Sequence, residues 1–394
     1  MSNFIKKQYS TILEYFVLLT LILLAIYLCF IGGYGSDEDT LPMFGVFTYL
    51  LNTGNLMTSR FTGYPVAEIG LGFLAYNFGS FYTNIVTFIF FFLGIYIFAK
   101  TLNENANERI ILFLILCLSN HFLFFDNLEP MDYSWALFFY SLGLFFYKKN
   151  ILELAILFFA ISIGARINFG LFIFITILFF NNSNFNDLLS KFRLIFVIIF
   201  LGCLFYVPVW YQNSFSLEWL TAARPMDQGY FGLFARFFYK IILSLNLLSV
   251  ALIIILFFLK FTKKKVSFSN KNFLILIILS NLALFLWIPS EIGYIQIALI
   301  AFYYFLIINI RREIIYLLIL CNFSYWIVNF NFIEIKYKDY IDQCSPKNAV
   351  SARIKFDLEY GAYKNFIITR DNIRCWINTE STHGKKVLKG LPLK

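Results

Sequence analysis

Asp37, Glu38 and Asp39 stand together in Gly35-Ser36-Asp37-Glu38-Asp39, directly after the first long apolar run. Crowded carboxylates make one another easier to protonate, and one of them would serve as a general base toward a hydroxyl. The Asp-x-Asp spacing would also hold a divalent cation, Mg or Mn, through oxygen ligands. The plain alternative is a solvated acidic turn. Against it, apolar sequence resumes at once at Leu41. A second stretch follows: Ser59-Arg60-Phe61-Thr62-Gly63-Tyr64-Pro65-Val66-Ala67-Glu68. It places an arginine, a Gly-Tyr-Pro turn and a carboxylate, Glu68, within ten residues.

Three more places carry chemistry. Asp126, Glu129 and Asp132 form an acidic loop in Asp126-Asn127-Leu128-Glu129-Pro130-Met131-Asp132-Tyr133. The alternative there is capping, with Asp132 as N-cap of the following helix. Arg166 lies between two short apolar segments, in Gly164-Ala165-Arg166-Ile167-Asn168-Phe169-Gly170. An arginine in such a setting is costly and usually has a partner. Its planar fork suits phosphate, and an interfacial, snorkelling role is the alternative. Arg60 and Arg224 are further phosphate candidates. Glu291, in Pro289-Ser290-Glu291-Ile292-Gly293-Tyr294, is either site scaffolding or a plain loop acid. His121 and His383 are too far apart to make a metal cluster. No Ser-His-Asp set, Cys-x-x-Cys pair or phosphate-cradling glycine loop is present.

These residues need a scaffold, and the composition says which kind. Of 394 residues 60% are hydrophobic and 14% charged, against about one quarter charged in a soluble protein. Uncharged runs at 15–31, 79–99 and 241–259 are long enough to cross about 30 Å of hydrocarbon. The chain reads as an all-α polytopic membrane protein. Spans are expected near 13–33, 80–99, 109–125, 134–147, 151–164, 168–180, 192–210, 239–260, 272–289, 293–310 and 313–330, eleven crossings in all. The first span is a poor cleavable signal, because Ile-Gly-Gly-Tyr-Gly rather than a small-residue cleavage site follows it. The long first loop carries apolar runs at 41–50 and 66–74 that would lie flat on the membrane surface. Aromatic residues of the loop at 211–239 are expected to be interface anchors.

Orientation follows from the short loops. With the N-terminus in the cytoplasm, Lys6, Lys7, Lys100, Arg109, Lys148, Lys149, Lys191, Arg193, Lys260, Lys263, Lys264, Lys265, Lys271, Arg311 and Arg312 fall inside. Only Arg60, Arg166, Arg224, Arg236 and Lys240 fall outside, a strong positive-inside bias. The net charge of +9 is thus a topology signal and not one for nucleic acid. The same assignment gathers Asp37, Glu38, Asp39, Glu68, Asp126, Glu129, Asp132, Glu218, Asp227 and Glu291 on the outer face. Free nucleotides are scarce there, which disfavours a soluble nucleotide-sugar site.

Composition shifts after Phe330. Residues 1–330 form the transmembrane domain and 331–394 a small extracytoplasmic tail. Alternation at 349–360 and 366–369 suggests short strands and hence an α+β appendage. Cys29, Cys117, Cys203 and Cys321 fall in spans and read as packing residues. Cys344 and Cys375 both lie in the tail, where an oxidising compartment would let them pair.

At its acidic loops the chain resembles the GT-C superfamily, the polytopic glycosyltransferases that use polyprenyl-phosphate sugars. Asp37-Glu38 matches the acids of the family's first outer loop. Ser59-Arg60-x-x-Gly63-Tyr64-Pro65-x-x-Glu68, Met131-Asp132-Tyr133-x-Trp135, Gly164-x-Arg166 and Glu291-x-Gly293-Tyr294 follow in the order seen in bacterial members. The likeness spans residues 1–330, while the tail is smaller than the outer domain of many members. It implies an inverting transfer from a lipid-phosphate sugar to a lipid or glycan acceptor of the cell envelope, at a bacterial plasma membrane. Asp37, or else Asp39, would be the base. Arg166, with Arg60 or Arg224, would neutralise the leaving phosphate, and Glu68 and Asp132 would orient the acceptor or a metal. The competing classes are a polyprenyl-lipid carrier and a non-catalytic membrane subunit.

Overall fold

The computed structural model describes residues 2–34, 40–54, 56, 63–102, 107–180, 187–212, 215, 229–258, 270–289, 292–342 and 345–360. The first helices are α1 (Ser2–Ile31), α2 (Thr40–Thr53), α3 (Pro65–Phe78), α4 (Ser80–Leu102), α5 (Asn107–Ser119) and α6 (His121–Phe125). A 3₁₀ turn at Asp126–Leu128 leads to α7 (Asp132–Lys148), α8 (Leu152–Ala165), α9 (Phe169–Phe179), α10 (Leu188–Leu204) and α11 (Val207–Gln212). Then come α12 (Gly229–Leu245), α13 (Leu247–Phe258), α14 (Lys271–Trp287), a second 3₁₀ turn (Ile292–Ile295), α15 (Gln296–Asn309) and α16 (Arg312–Ile327). Strands β1 (Val328–Asp342) and β2 (Ser345–Tyr360) close the described chain as an antiparallel pair, Val328 opposite Tyr360 and Asp342 opposite Ser345.

Among the described residues three helical stretches are long and apolar enough to cross a membrane: Thr11–Ile31, Ser80–Leu102 and Ile292–Asn309. The number is five if each of two bent pairs counts as one span. This is the make-up of a multi-pass helical membrane protein. Helices α8, α9 and α14 are apolar but shorter, with 14, 11 and 17 residues. At 1.5 Å per residue they reach about 21, 17 and 26 Å, short of the roughly 30 Å of hydrocarbon.

Two expected spans turn sharply, and a third, 192–210, is divided between α10 and α11. The stretch at 109–125 turns by 86° at Asn120, and that at 239–260 turns by 90° at Asn246. Both breaks are made by asparagine, whose side chain replaces what the backbone loses. Asn120 Oδ1 accepts from the Leu123 amide at 2.9 Å, capping α6, and its Nδ2 donates to the Ser244 carbonyl and the Tyr303 hydroxyl, each at 2.8 Å. Asn246 has φ +59°, a conformation asparagine tolerates better than most residues, and its Oδ1 accepts from the Ser249 amide at 2.8 Å. Asn322 of α16 joins the two breaks. It accepts from Asn246 Nδ2 at 2.9 Å and donates to the Ser119 hydroxyl at 3.2 Å. Near-continuous apolar sequence runs through both sites, so run length alone suggested single spans.

Around these hinges α7 packs along both α4 and α8. Small residues allow the approach: a Cβ on Gly143 would sit 2.4 Å from the Phe159 ring, and one on Gly94 would sit 3.3 Å from the Phe138 backbone. Four cysteines, Cys29, Cys117, Cys203 and Cys321, are free and lie in α1, α5, α10 and α16. The alternation at 349–360 falls within β2. Its partner β1 starts at Val328, inside the range expected for the last span. Residues 366–369, Cys344 and Cys375 lie outside the described residues.

A buried ion pair ties the first helix to the last. Glu14 of α1 is 3% exposed. Its Oε1 accepts from Arg312 Nε at 3.0 Å, Arg312 Nη2 at 2.6 Å and the Tyr316 hydroxyl at 2.6 Å. Glu14→Ala strips all three donors of their acceptor. The expected loss is about 1.5–3 kcal/mol, the range for hydrogen bonds to a charge, because Arg312 keeps partial access to solvent. Thermal unfolding in detergent checks it, and an unchanged midpoint would show that α1 is held to α16 by apolar contacts alone.

Candidate functional site

The site is built where four elements end. Tyr64 precedes α3 and is 3% exposed, with Pro65 in the first turn fixing the helix start. Glu68 follows one turn on, fully buried, where the positive end of the helix dipole favours a carboxylate. Asp132 is the first residue of α7 and also fully buried. Arg166 separates α8 from α9. Its backbone is extended (φ −154°, ψ 120°), its amide caps α8 on the Ser162 carbonyl, and its carbonyl receives the Phe169 amide that opens α9.

Arg166 is the hub. It is 1% exposed. Its Nη1 lies 2.8 Å from Asp132 Oδ2, and its Nη2 donates to the Tyr64 hydroxyl at 3.4 Å. The guanidinium carbon lies 3.6 Å from the centre of the Tyr133 ring and 4.7 Å from those of Tyr64 and Tyr294. Three aromatic faces therefore cage the cation, each a favourable contact when desolvated. Tyr206 joins from the turn after α10, donating to the Ile163 carbonyl at 2.9 Å, within the electrostatic reach of Tyr64, Arg166, Glu68 and Asp132. Gly293 completes the cage. A Cβ there would stand 2.3 Å from the Tyr133 ring, so only glycine lets the second 3₁₀ turn close on α7.

Tyr64, Asp132 and Arg166 are thus drawn together from positions up to 102 residues apart, with Glu68 buried one turn into the α3 helix that Tyr64 precedes. The capping alternative for Asp132 is corrected: Met131 occupies the N-cap without a side-chain bond, and the Asp132 carboxylate faces Arg166. The snorkelling alternative for Arg166 is corrected as well, since its head is sealed. Asp126 opens the 3₁₀ turn packed against α1, α4 and α6, and Glu129 follows it. Between them Asn127 Oδ1 accepts from the Ser134 hydroxyl and from Gln296 Nε2 at 3.0 Å. Asp37, Glu38, Asp39, Arg60, Arg224 and Glu291 lie outside the described residues.

The segment ahead of the acidic run is nevertheless fixed. Asn84 of α4 donates to the Gly33 carbonyl at 2.6 Å and the Cys29 carbonyl at 3.4 Å. Tyr34 packs on Phe44 with ring centres 4.7 Å apart, and its hydroxyl reaches the Ala75 carbonyl of α3 at 3.5 Å. The chain therefore leaves α1 bound to α3, the helix that carries Glu68. Sequence reasoning missed Tyr206 and the caging role of Tyr133 and Tyr294. The Met131-Asp132-Tyr133 and Gly293-Tyr294 motifs already contained the last two. Among the described residues no group of three His, Cys, Asp or Glu side chains gathers as a metal set. In comparisons with known proteins, no family model, no curated protein and no solved structure matches the chain.

Proposed function

We propose that the chain is a polytopic membrane glycosyltransferase of the GT-C type. It transfers a sugar from a polyprenyl-phosphate donor to a cell-envelope acceptor on the outer face of a bacterial plasma membrane, with inversion. The observation that carries this reading is the convergence of Tyr64, Asp132 and Arg166 at the start of α3, the helix that bears buried Glu68 and holds Tyr34 at the start of the first loop. Asp37, or Asp39, is the general base. Glu68 orients the acceptor. Arg166 is already engaged by Asp132 and three tyrosine rings, so it sets Asp132 in place, and Arg60 and Arg224 are left to meet the leaving phosphate. Asp37 and Asp39 would hold Mg or Mn if a metal takes part.

The proposed topology has eleven crossings, a cytoplasmic N-terminus and an extracytoplasmic tail, with a Cys344–Cys375 bridge in it. A carrier is the second reading. The two broken helices favour it, because transporters bind ions and substrate at such breaks. Here, however, the polar groups at the breaks are matched to one another through Asn322. Mass spectrometry of cell-surface glycans with and without the gene tests the reading. The expected result is a glycan lacking one sugar unit. Identical glycans, with lipid-linked sugar equally distributed across the membrane, would remove both readings.

A further inference from the structure

Next to the Arg166 cage lies a cleft that none of these roles uses. Tyr133, Tyr294, Asn168, Asn281, Gln296 and Phe169 are among its walls, and no lining residue carries a formal charge. Asn281 is 1% exposed; its Nδ2 donates to the Tyr294 carbonyl at 2.9 Å, while its Oδ1 has no partner. Asn168 Oδ1 is buried and unpartnered too. Buried acceptors are rarely left unmatched. Two of them on one cleft ask for a ligand that donates, and hydroxyl groups do so without bringing charge. The cleft holds about 260 Å³ of empty space, part of it open to solvent.

We propose that this cleft is a subsite for a hydroxyl of an uncharged sugar, with the side-chain oxygens of Asn168 and Asn281 as its acceptors. The inference rests on the glycosyltransferase reading and narrows its substrate. An amino sugar would bring a positive charge to walls that offer no carboxylate, with the Arg166 guanidinium only 3.6 Å from the Tyr133 ring, which is unfavourable. The sugar belongs either to the lipid-borne donor or to the acceptor, and the test separates the two.

The full chain in nanodiscs is titrated with decaprenyl phosphate, with the same carrier bearing glucose, mannose, arabinose or an amino sugar, and with the methyl glycosides of the three neutral sugars. Binding is read by native mass spectrometry. Wild type should prefer one neutral-sugar carrier over the bare carrier if the donor enters the cleft, or bind one methyl glycoside if the acceptor does. Asn281→Leu and Asn168→Leu should each cut that preference by about two- to tenfold, the equivalent of one hydrogen bond. Asn168 stands at the N-cap of α9 but its side chain makes no capping bond, so its variant stays informative should Asn281→Leu disturb the Tyr294 turn. A preference that both variants keep in full overturns the proposal, the cleft then holding only water, and leaves the glycosyltransferase reading standing. A wild-type preference for the amino-sugar carrier overturns it also. Failure of wild type to bind any carrier or glycoside overturns the proposal together with the reading beneath it.

Discussion

Asp37→Asn should slow sugar transfer by roughly 10²–10⁴-fold, the usual contribution of a positioned general base. The substitution is close to isosteric and removes only the basic oxygen. Two facts single out Asp37 within the acidic run. It matches the first-loop acid of the family the chain resembles. It also follows closely on Gly33 and Tyr34, which α4 and α3 hold by hydrogen bonds. A base must be placed to within fractions of an ångström to act, and Asp37 is the acid nearest in sequence to that fixed tyrosine. Asp39→Asn should therefore cost less. If the pair holds a divalent cation, both variants should fail, and activity should depend on added Mg or Mn. The measurement is transfer by purified protein, with donor binding followed in parallel. Full activity in Asp37→Asn would end the catalytic reading of this loop and leave the carrier or subunit reading in its place.

How much of this was legible beforehand depends on the kind of signal. Helices announce themselves by apolar run length, so the expected spans at 80–99, 134–147, 151–164 and 168–180 lie within a few residues of α4, α7, α8 and α9. Arg166 was legible because an arginine between apolar segments needs a partner, and Asp132 was among the acids available to it. What stayed hidden depends on three-dimensional contact. Nothing in the run 109–125 marks a right-angle turn at Asn120, since the capping bond and the Ser244 partner appear only once the chain is folded. Tyr206 reads as one more interface aromatic until its neighbours are known. Glu14, an isolated acid near the start of an apolar run, gave no sign of Arg312, 298 residues away. Strand β1 was legible in principle, since Val328-Asn329-Phe330-Asn331-Phe332 and Ile333-Glu334-Ile335-Lys336-Tyr337 alternate with period 2; only its first residues, 328–330, fell within the apolar range of the expected last span.

The strongest stability effect should come from Asp132. In Asp132→Ala the Arg166 guanidinium keeps its tyrosine cage but loses its counter-charge, at a depth where it is 1% exposed. Stranding one member of a buried ion pair costs about 3–5 kcal/mol. Arg166→Met strands the carboxylate instead and should cost a similar amount. The double variant Asp132→Ala with Arg166→Met leaves neither member of the pair stranded, so its loss should be far below the sum of the singles. Such a shortfall is the mark of direct coupling. Arg166→Lys separates charge from shape. It keeps the ion pair but gives up the planar group that three rings enclose, and should fall between wild type and Arg166→Met. Denaturant unfolding in detergent, read on all four variants, gives the cycle. Additive losses would mean that Asp132 and Arg166 act separately. Coupled losses with transfer abolished even in the well-folded double variant would place the pair in the positioning of the site rather than in the stability of the fold alone.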